Sequence, residues 1–319
     1  ALFAGGIIGI FFCSQLRRRI KILEGGFIAG LVNVFVVYGI AFSRNISFTP
    51  AWLMGVVGMS SGVGSAVILI GLLPLIEYVF DTTTDIRLLE LSDQGHPLLR
   101  NLFLMASGTY THSLGVGNLA ESAAEDIGAN PLLARVASYY HDIGKMFKPE
   151  YYIENQASGR NKHDSLKPSL SSLIIASHTR DGVDLGREYK LPQPILDIIA
   201  QHHGDGKIIF FLQKAQAQAG KDETVDEEYF RYPGPRPSTK EAGIVLLADA
   251  VEAASRTLSR PSPQSLKHTV ERIIAAKRDD NQLDETGLTM VDLSRIQKSF
   301  ITVLYGIFHS RIEYPEEQQ

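Results

Sequence analysis

An adjacent imidazole and carboxylate stand in "YYHDIGKMFKP", residues 139–149, where His141 and Asp142 follow an apolar helical run and Lys145 comes three residues on. Alone, such a pair reads equally well as a polar cap on a helix end. Its meaning depends on what lies elsewhere in the chain. His112 stands in "GTYTHSLG", His178 in "IIASHTRDG", His202 and His203 in "AQHHG", and Asp249 in "LLADAVEAA". Each is embedded among apolar residues, so the faces that build a core also carry these groups inward. A buried polar group must be paired or bound to a metal. Imidazoles and carboxylates gathered this way satisfy one another most simply through cations.

The elements that must position these groups read as helices. "THSLGVGNLAESAAEDIG", "NPLLARVASYYHDIG", "PSLSSLIIASHTRDG" and "PILDIIAQHHG" each end at or near a glycine, a common helix stop. In "RYPGPRPSTKEAGIVLLADAVEAASR" a proline-rich loop leads into Ser238 and Glu241 at capping-box spacing, then an apolar helix. The hydrophilic stretch 218–237 reads as a loop or insertion, and a last helix is expected from about Val291 to His309. No alternating strand pattern of useful length appears, and there is no internal repeat.

Composition splits the chain in two. The net charge is −4 with 21% charged residues, and no basic stripe of the kind that binds DNA or RNA is present. The single cysteine, Cys13, excludes a disulfide framework and a cysteine zinc cluster. Residues 1–80 hold few of the charges and contain three apolar runs. The first, Ala1 to Cys13, is too short to span and reads as truncated, so the chain is expected to be the C-terminal piece of something longer. Gly25 to Phe42 reaches roughly 27 Å as a helix, and Ala51 to Ile76 roughly 39 Å, each enough to cross a bilayer. The small residues Gly55, Gly58, Ser60, Ser61, Gly62 and Gly64 suit close packing between helices in lipid. The cluster Arg17–Lys21 favours the cytoplasmic side, which places everything after Phe80 in the cytoplasm. "DTTTD" at 81–85 is a good helix start.

The order H…HD…H…HH…D resembles the HD-domain metal phosphohydrolases. With "ASGTYTHSLGVGNLAESAAEDIGAN", "YYHDIGK", "YIENQ", "LIIASHTRDGVDL", "QHHG", "RYPGPRPSTKEAGIVLLADAVEAASR" and "GIFHSRIEYPE", the whole chain is similar to the membrane-bound 7TM-HD cyclic-di-AMP phosphodiesterases of bacteria. The resemblance implies an all-α chain: 1–80 as the last transmembrane helices of a seven-span domain, 81–105 as a linker helix, and 106–319 as a cytoplasmic helical HD domain. It implies hydrolysis of cyclic di-AMP to linear pApA, under a membrane sensor whose signal-receiving part would precede this chain. A multi-pass protein of this kind has membrane lipid as a partner, and a homodimer through its helices is compatible with it. No "GYP" follows "HHGDG", which counts against the cyclic-di-GMP branch. A different phosphoester, or a receptor that binds the dinucleotide without cleaving it, are the alternatives.

The resemblance also implies roles. His112, His141, Asp142 and Asp249 would hold one divalent ion; His178, His202 and His203 would hold the other, with Asp142 bridging. Mixed imidazole and carboxylate ligands suit iron or manganese, with zinc compatible, better than calcium or magnesium. Two carboxylates against two divalent ions leave the site positive, so that it attracts a phosphodiester and activates a bridging water for attack on phosphorus. Lys145 is the candidate to contact a phosphate oxygen or the leaving 3′ oxygen; its alternative is a solvent-facing lysine. Arg180, with Asp181, and Arg256, two turns beyond Asp249, are candidates for substrate contact, and Glu252 for a partner of a metal-bound histidine. Tyr151 and Tyr152 are candidates to stack on adenine, and His163 lies near the expected substrate mouth. His96, His268 and His309 read as structural or surface residues.

Overall fold

The structure, a computed structural model, describes residues 6–7, 19–80, 82–156, 161–219, 224–258 and 261–309. Among them every regular element is a helix, apart from an isolated antiparallel bridge between Lys207 and Arg231. The chain divides into two compact units, Ala1–Glu90 and Leu91–Gln319.

Among the described residues the first unit is dominated by a helix pair, α1 (Arg19–Ser43) and α2 (Phe48–Phe80), with Ile86 packed against Ile22 and Ala66. The stretches Arg19–Ser43 and Pro50–Glu77 are long and apolar enough to cross a membrane. Small residues let the two backbones touch. A Cβ on Gly62 would lie 2.5 Å from both the Gly30 nitrogen and the Gly26 carbonyl oxygen, so only glycine fits there. Gly58 also packs, against Asn33, whereas Gly64 faces open space. The outward side chains are large and apolar, with Phe35, Leu53 and Ile68 well exposed. That is the surface a helix pair presents to lipid rather than to water. The first apolar run lies outside the described residues except for positions 6–7, as do Arg17 and Arg18.

Thr84 starts α3 (Asp85–Leu91) by accepting the Arg87 amide at 3.3 Å, the start expected in "DTTTD". The single linker helix expected across 81–105 is instead two helices, α3 and α4 (Pro97–Met105). The break is an aspartate turn: Asp93 accepts the Gly95 amide at 2.8 Å, and Pro97 opens α4 at a first-turn position where its missing N–H forfeits no helical hydrogen bond.

The second unit is built around α5 (Ser107–Ile127), which packs against α6 (Pro131–Tyr140), α10 (Lys240–Arg256) and α12 (Met290–His309). Leu119, Ala120, Ala123 and Ala124 of α5 are fully buried, with Val136 and Ala137 of α6, Ile244 and Val245 of α10, and Phe300 of α12. Each large apolar side chain so buried contributes roughly 1.5–3 kcal/mol. Around this centre lie α7 (Pro168–Glu188), α8 (Gln193–Gln201), α9 (Ile209–Gln218) and α11 (Pro263–Asp279).

Two helix ends differ from the sequence expectation. α7 does not stop at Gly182 but runs on to Glu188. A Cβ at 182 would meet Ile199 at 2.9 Å, so this glycine serves a close helix–helix contact rather than a cap. α10 is capped by Thr239, whose side chain accepts the Ala242 amide, not by Ser238. Ser238 donates to Gln201, and Glu241 accepts the Asn130 amide, so tertiary partners take both capping-box side chains. In the stretch 218–237, residues 220–223 lie outside the described residues; the rest includes a short 3-10 turn that buries Phe230.

Candidate metal centre

The pair His141–Asp142 sits where α6 ends and a 3-10 turn, Ile143–Phe147, begins. Gly144 makes this junction possible. A Cβ there would lie 2.0 Å from the His178 carbonyl oxygen and 2.5 Å from the Gly182 nitrogen. The glycine in "HDIGK" therefore brings the turn onto α7, and Asp142 within reach of His178. Asp142 is almost wholly buried and stands between two groups of imidazoles. Its Oδ1 lies 3.2 Å from His178 Nε2 and 3.6 Å from His202 Nε2, and its Oδ2 lies 3.2 Å from His141 Nε2 and 3.8 Å from His112 Nε2. Asp249, on α10, faces the other side, 2.9 Å from His112 Nε2, 3.8 Å from His141 Nε2 and 3.5 Å from His203 Nδ1.

Three of the histidines are aimed by one local device. His141, His178 and His202 each donate Nδ1–H to the carbonyl three residues back, at Ser138 (2.7 Å), Ile175 (2.6 Å) and Ile199 (2.8 Å). A carbonyl only accepts, so in the neutral ring the proton sits on Nδ1 and the Nε2 lone pair points inward. His112 is aimed by a side chain instead: its Nδ1 is hydrogen-bonded to Glu252, which Arg256 holds at 2.5 Å.

The lone pairs converge on one another. His178 Nε2 and His202 Nε2 are 3.1 Å apart, and both face Asp142 Oδ1. His141 Nε2 and both Asp142 oxygens have no hydrogen-bond partner although buried. Lys145 Nζ approaches Asp142 Oδ2 to 2.6 Å, an ionic contact whose angles fall outside a hydrogen bond. Inward-facing lone pairs around a buried carboxylate are repulsive unless protons or cations lie between them. Two ligand groupings result, Asp142–His178–His202–His203 and His112–His141–Asp142, each with donor atoms within 4.8 Å of one another. Asp249 falls outside both groupings yet lies 2.9 Å from His112 Nε2, close enough to complete the second. The donor set fits a pair of divalent ions.

The protonation tendencies divide the same way. Burial acts to lower His141, but the Asp142 and Asp249 carboxylates outweigh it and raise the ring to about 10. His112 is raised too, its hydrogen bonds to Asp249 and Glu252 overcoming burial. At the other end burial wins: His202 drops to about 4, and His203 falls well below its ordinary value. Asp142 and Asp249 stay ionised, their cationic neighbours outweighing the cost of burial.

The cluster forms the floor of a cavity of about 640 Å³. Lys145 lines it and is not the solvent-facing lysine of the alternative reading. Its ammonium is held by Asp142 and, at 2.9 Å, by Glu154, over the ring of Tyr152. These carboxylates outweigh burial and hold it well above the ordinary lysine value. Glu154 also accepts from Thr109, and Asn155 accepts the Thr109 amide, which latches the "YIENQ" segment onto the start of the helix that carries His112.

Tyr151, Tyr152 and His163 line the wall and Arg256 reaches the cavity. Tyr152 is buried beneath Lys145, its hydroxyl donating to the Ile174 carbonyl at 3.3 Å. His163 donates to the Tyr151 carbonyl at 2.9 Å and tilts against Phe211, so it shapes the wall. Arg180 is corrected: it is exposed and does not line the cavity. Two residues beyond His178 is roughly 200° around a helix, which turns it to the opposite face. Asp181 bonds Ser177 on its own helix. Phe210, Phe211 and Tyr232 also line the cavity. No motif pattern marks the first two, and Tyr232 lies inside "RYPGPRP", where the prolines drew notice and the tyrosine did not.

Comparison with known proteins agrees with this geometry. The family model described as HD domain matches residues 109–254, and that described as 7TM receptor with intracellular HD hydrolase matches residues 1–84. The chain is 46% identical over 316 residues to the cyclic-di-AMP phosphodiesterase PgpH of Bacillus subtilis, and 38% identical over 319 residues to that of Listeria monocytogenes. These alignments take in 98% and 99% of this chain and 44% of each relative, so the chain spans less than half their length. The crystal structure of the L. monocytogenes PgpH HD domain in complex with cyclic di-AMP is 42% identical. It superposes with a TM-score of 0.65, covering 68% of this chain and all of that one. With both parts matched and the HD fold shared at this identity, the chain belongs to the family of 7TM receptors with an intracellular HD hydrolase.

Proposed function

We propose that this chain hydrolyses cyclic di-AMP to linear pApA at the cavity above the histidine cluster. The observation that carries the reading is the complex of a 42% identical HD domain with cyclic di-AMP. The buried donors of this chain supply the matching chemistry. His112, His141, Asp142 and Asp249 would hold one ion, and His178, His202 and His203, with Asp142 between, the other. Two divalent cations held there, iron or manganese with zinc compatible, would polarise a phosphodiester and activate water for attack on phosphorus.

The chain's own residues hold and orient the substrate. Lys145 carries its charge at the floor and offers an ammonium to a phosphate oxygen or to the leaving 3′ oxygen. Tyr151 offers a ring to one adenine, with His163 behind it fixing the loop. Tyr152 supports Lys145 from below. Arg256, on the rim, is the second cation for the phosphates. Residues 1–80 are the last spans of a multi-pass membrane domain, 81–105 connect, and 106–319 form the catalytic domain. The cytoplasm is its side, since Arg17–Lys21 favour that face of the bilayer.

The whole chain in detergent micelles, loaded with manganese or iron, is incubated with cyclic di-AMP, cyclic di-GMP and a panel of nucleotides. Preferential release of pApA is expected. A metal-loaded chain that binds cyclic di-AMP without cleaving it would make this a receptor instead, and faster turnover of cyclic di-GMP would reassign the substrate.

A further inference from the structure

Of the five histidines in the cluster, four have a ring nitrogen fixed by an oxygen acceptor: His141, His178 and His202 by main-chain carbonyls, His112 by Glu252. Among the described residues His203 has no such hydrogen bond, and its Nδ1 lies 3.5 Å from Asp249. It is also the most exposed of the five. What touches its ring is aromatic. Tyr232 stacks on it with centroids 4.1 Å apart and planes 25° from parallel, and His202 lies against it at 4.1 Å and 44°.

Tyr232 is itself held in place by main chain. Its amide donates to the Gly206 carbonyl at 3.0 Å, and the Ile208 amide donates to the Phe230 carbonyl at 2.7 Å. The bridge Lys207↔Arg231 lies between these bonds, and Arg231 donates to the Asp205 carbonyl at 2.8 Å. The segment that presents Tyr232 is thus tied to the four residues, 205–208, that follow His203–Gly204. Chain movement that would swing His203 also drags its stacking partner.

We infer that Tyr232 is a positioning residue: its ring, stacked on His203, replaces the hydrogen bond that aims each of the other four histidines. The ring, not the hydroxyl, is the working part. The inference rests on the two-metal reading given above.

The test compares the wild-type chain in detergent micelles with Y232F, Y232A and Y232L. Each is stripped by chelator and titrated with manganese. Bound ions per chain are counted, the exchange-coupled pair signal is followed by electron paramagnetic resonance, and helicity is checked by circular dichroism. Wild type and Y232F are expected to take up a coupled pair with the same affinity. Y232A and Y232L, with helicity retained, are expected to bind one of the two ions about tenfold more weakly and to lose the pair signal. A folded Y232L that titrates like wild type overturns the inference, and so does Y232F failing as badly as Y232A. Should Y232A not fold, Y232L and Y232F alone decide it. A wild-type chain that takes up no ion pair defeats the two-metal reading itself, a result distinct from either of these.

Discussion

The two ends of the histidine cluster share a residue type and differ in electrostatic plan. Around His112 and His141 stand Asp142, Asp249 and Glu252, and the carboxylates raise both rings against the pull of burial, His141 to about 10. Around His202 and His203 the carboxylates are outweighed, and burial keeps the rings neutral. A neutral imidazole with its Nδ1–H tied to a carbonyl is already a ligand, whereas a protonated one must first release a proton. The difference teaches that burial alone does not decide what a histidine is for. One end is prepared to receive a cation as it stands; the other holds a proton, on His141, where a cation would sit.

Removing what the two ends share should have the largest effect. Asp142→Ala takes away the carboxylate whose two oxygens face the two groups of imidazoles and is expected to abolish uptake of the ion pair. Cyclic-di-AMP hydrolysis should fall about 10³-fold or more, since the cations contribute several kcal/mol to the transition state. Elemental analysis and product chromatography on the whole chain measure both. Full metal content with full cleavage would end the account. Lys145→Met should act next most strongly. It is expected to lower kcat about 10²-fold, as does loss of one preorganised donor to developing charge, while both ions stay bound. Loss of metal in this variant would mean that Lys145 serves the cluster's charge balance and not the substrate.

How much of this site could be read beforehand follows from where each residue's partners lie. The burial of His112, His178 and Asp249 was legible because each stands among apolar neighbours on a helix, whereas His141, Asp142, His202 and His203 sit in turns just past the ends of apolar helices, where helical periodicity no longer fixes a direction. The lipid-facing pair was legible from apolar run length, and Gly62 from its setting among small residues. Arg180 misled because adjacency in sequence is not adjacency on a helix. Ser238 and Glu241 misled because capping-box spacing is a local signal that Gln201 and the Asn130 amide overrode. Glu154 and Tyr232 carried no assigned role because their partners, Lys145 with Thr109 and His203, come from other segments. Nothing in "YIENQ" or "RYPGPRP" states what those segments fold against.

Glu252 sharpens the comparison by touching one end only. Glu252→Gln keeps the size of the side chain but removes the charge that accepts from His112 Nδ1. The affinity for one ion is expected to fall about 10-fold to 100-fold, the usual cost of a lost partner to a metal-bound histidine, and the other ion should be retained. Titration with manganese, followed ion by ion, reads this directly. Equal weakening of both ions would show that the two ends do not act separately.

The mildest effect is on pH, and it tests the proton inventory itself. His141 is raised from its ordinary 6.5 to about 10 in the metal-free chain. Its proton therefore contributes stability that is fully present below pH 6.5 and is lost as pH rises through about 10. Across that window a cation must displace the proton, so affinity at this end should rise with pH, with about one proton released per chain at neutral pH. His202 and His203 are neutral throughout the same window and contribute no such slope. Calorimetry of manganese binding in two buffers of different ionisation enthalpy counts the protons. Asp249→Asn, which removes part of what raises His141, should flatten the slope. Proton release equal to zero at neutral pH would mean that His141 is neutral before the ion arrives, and the contrast between the two ends would disappear.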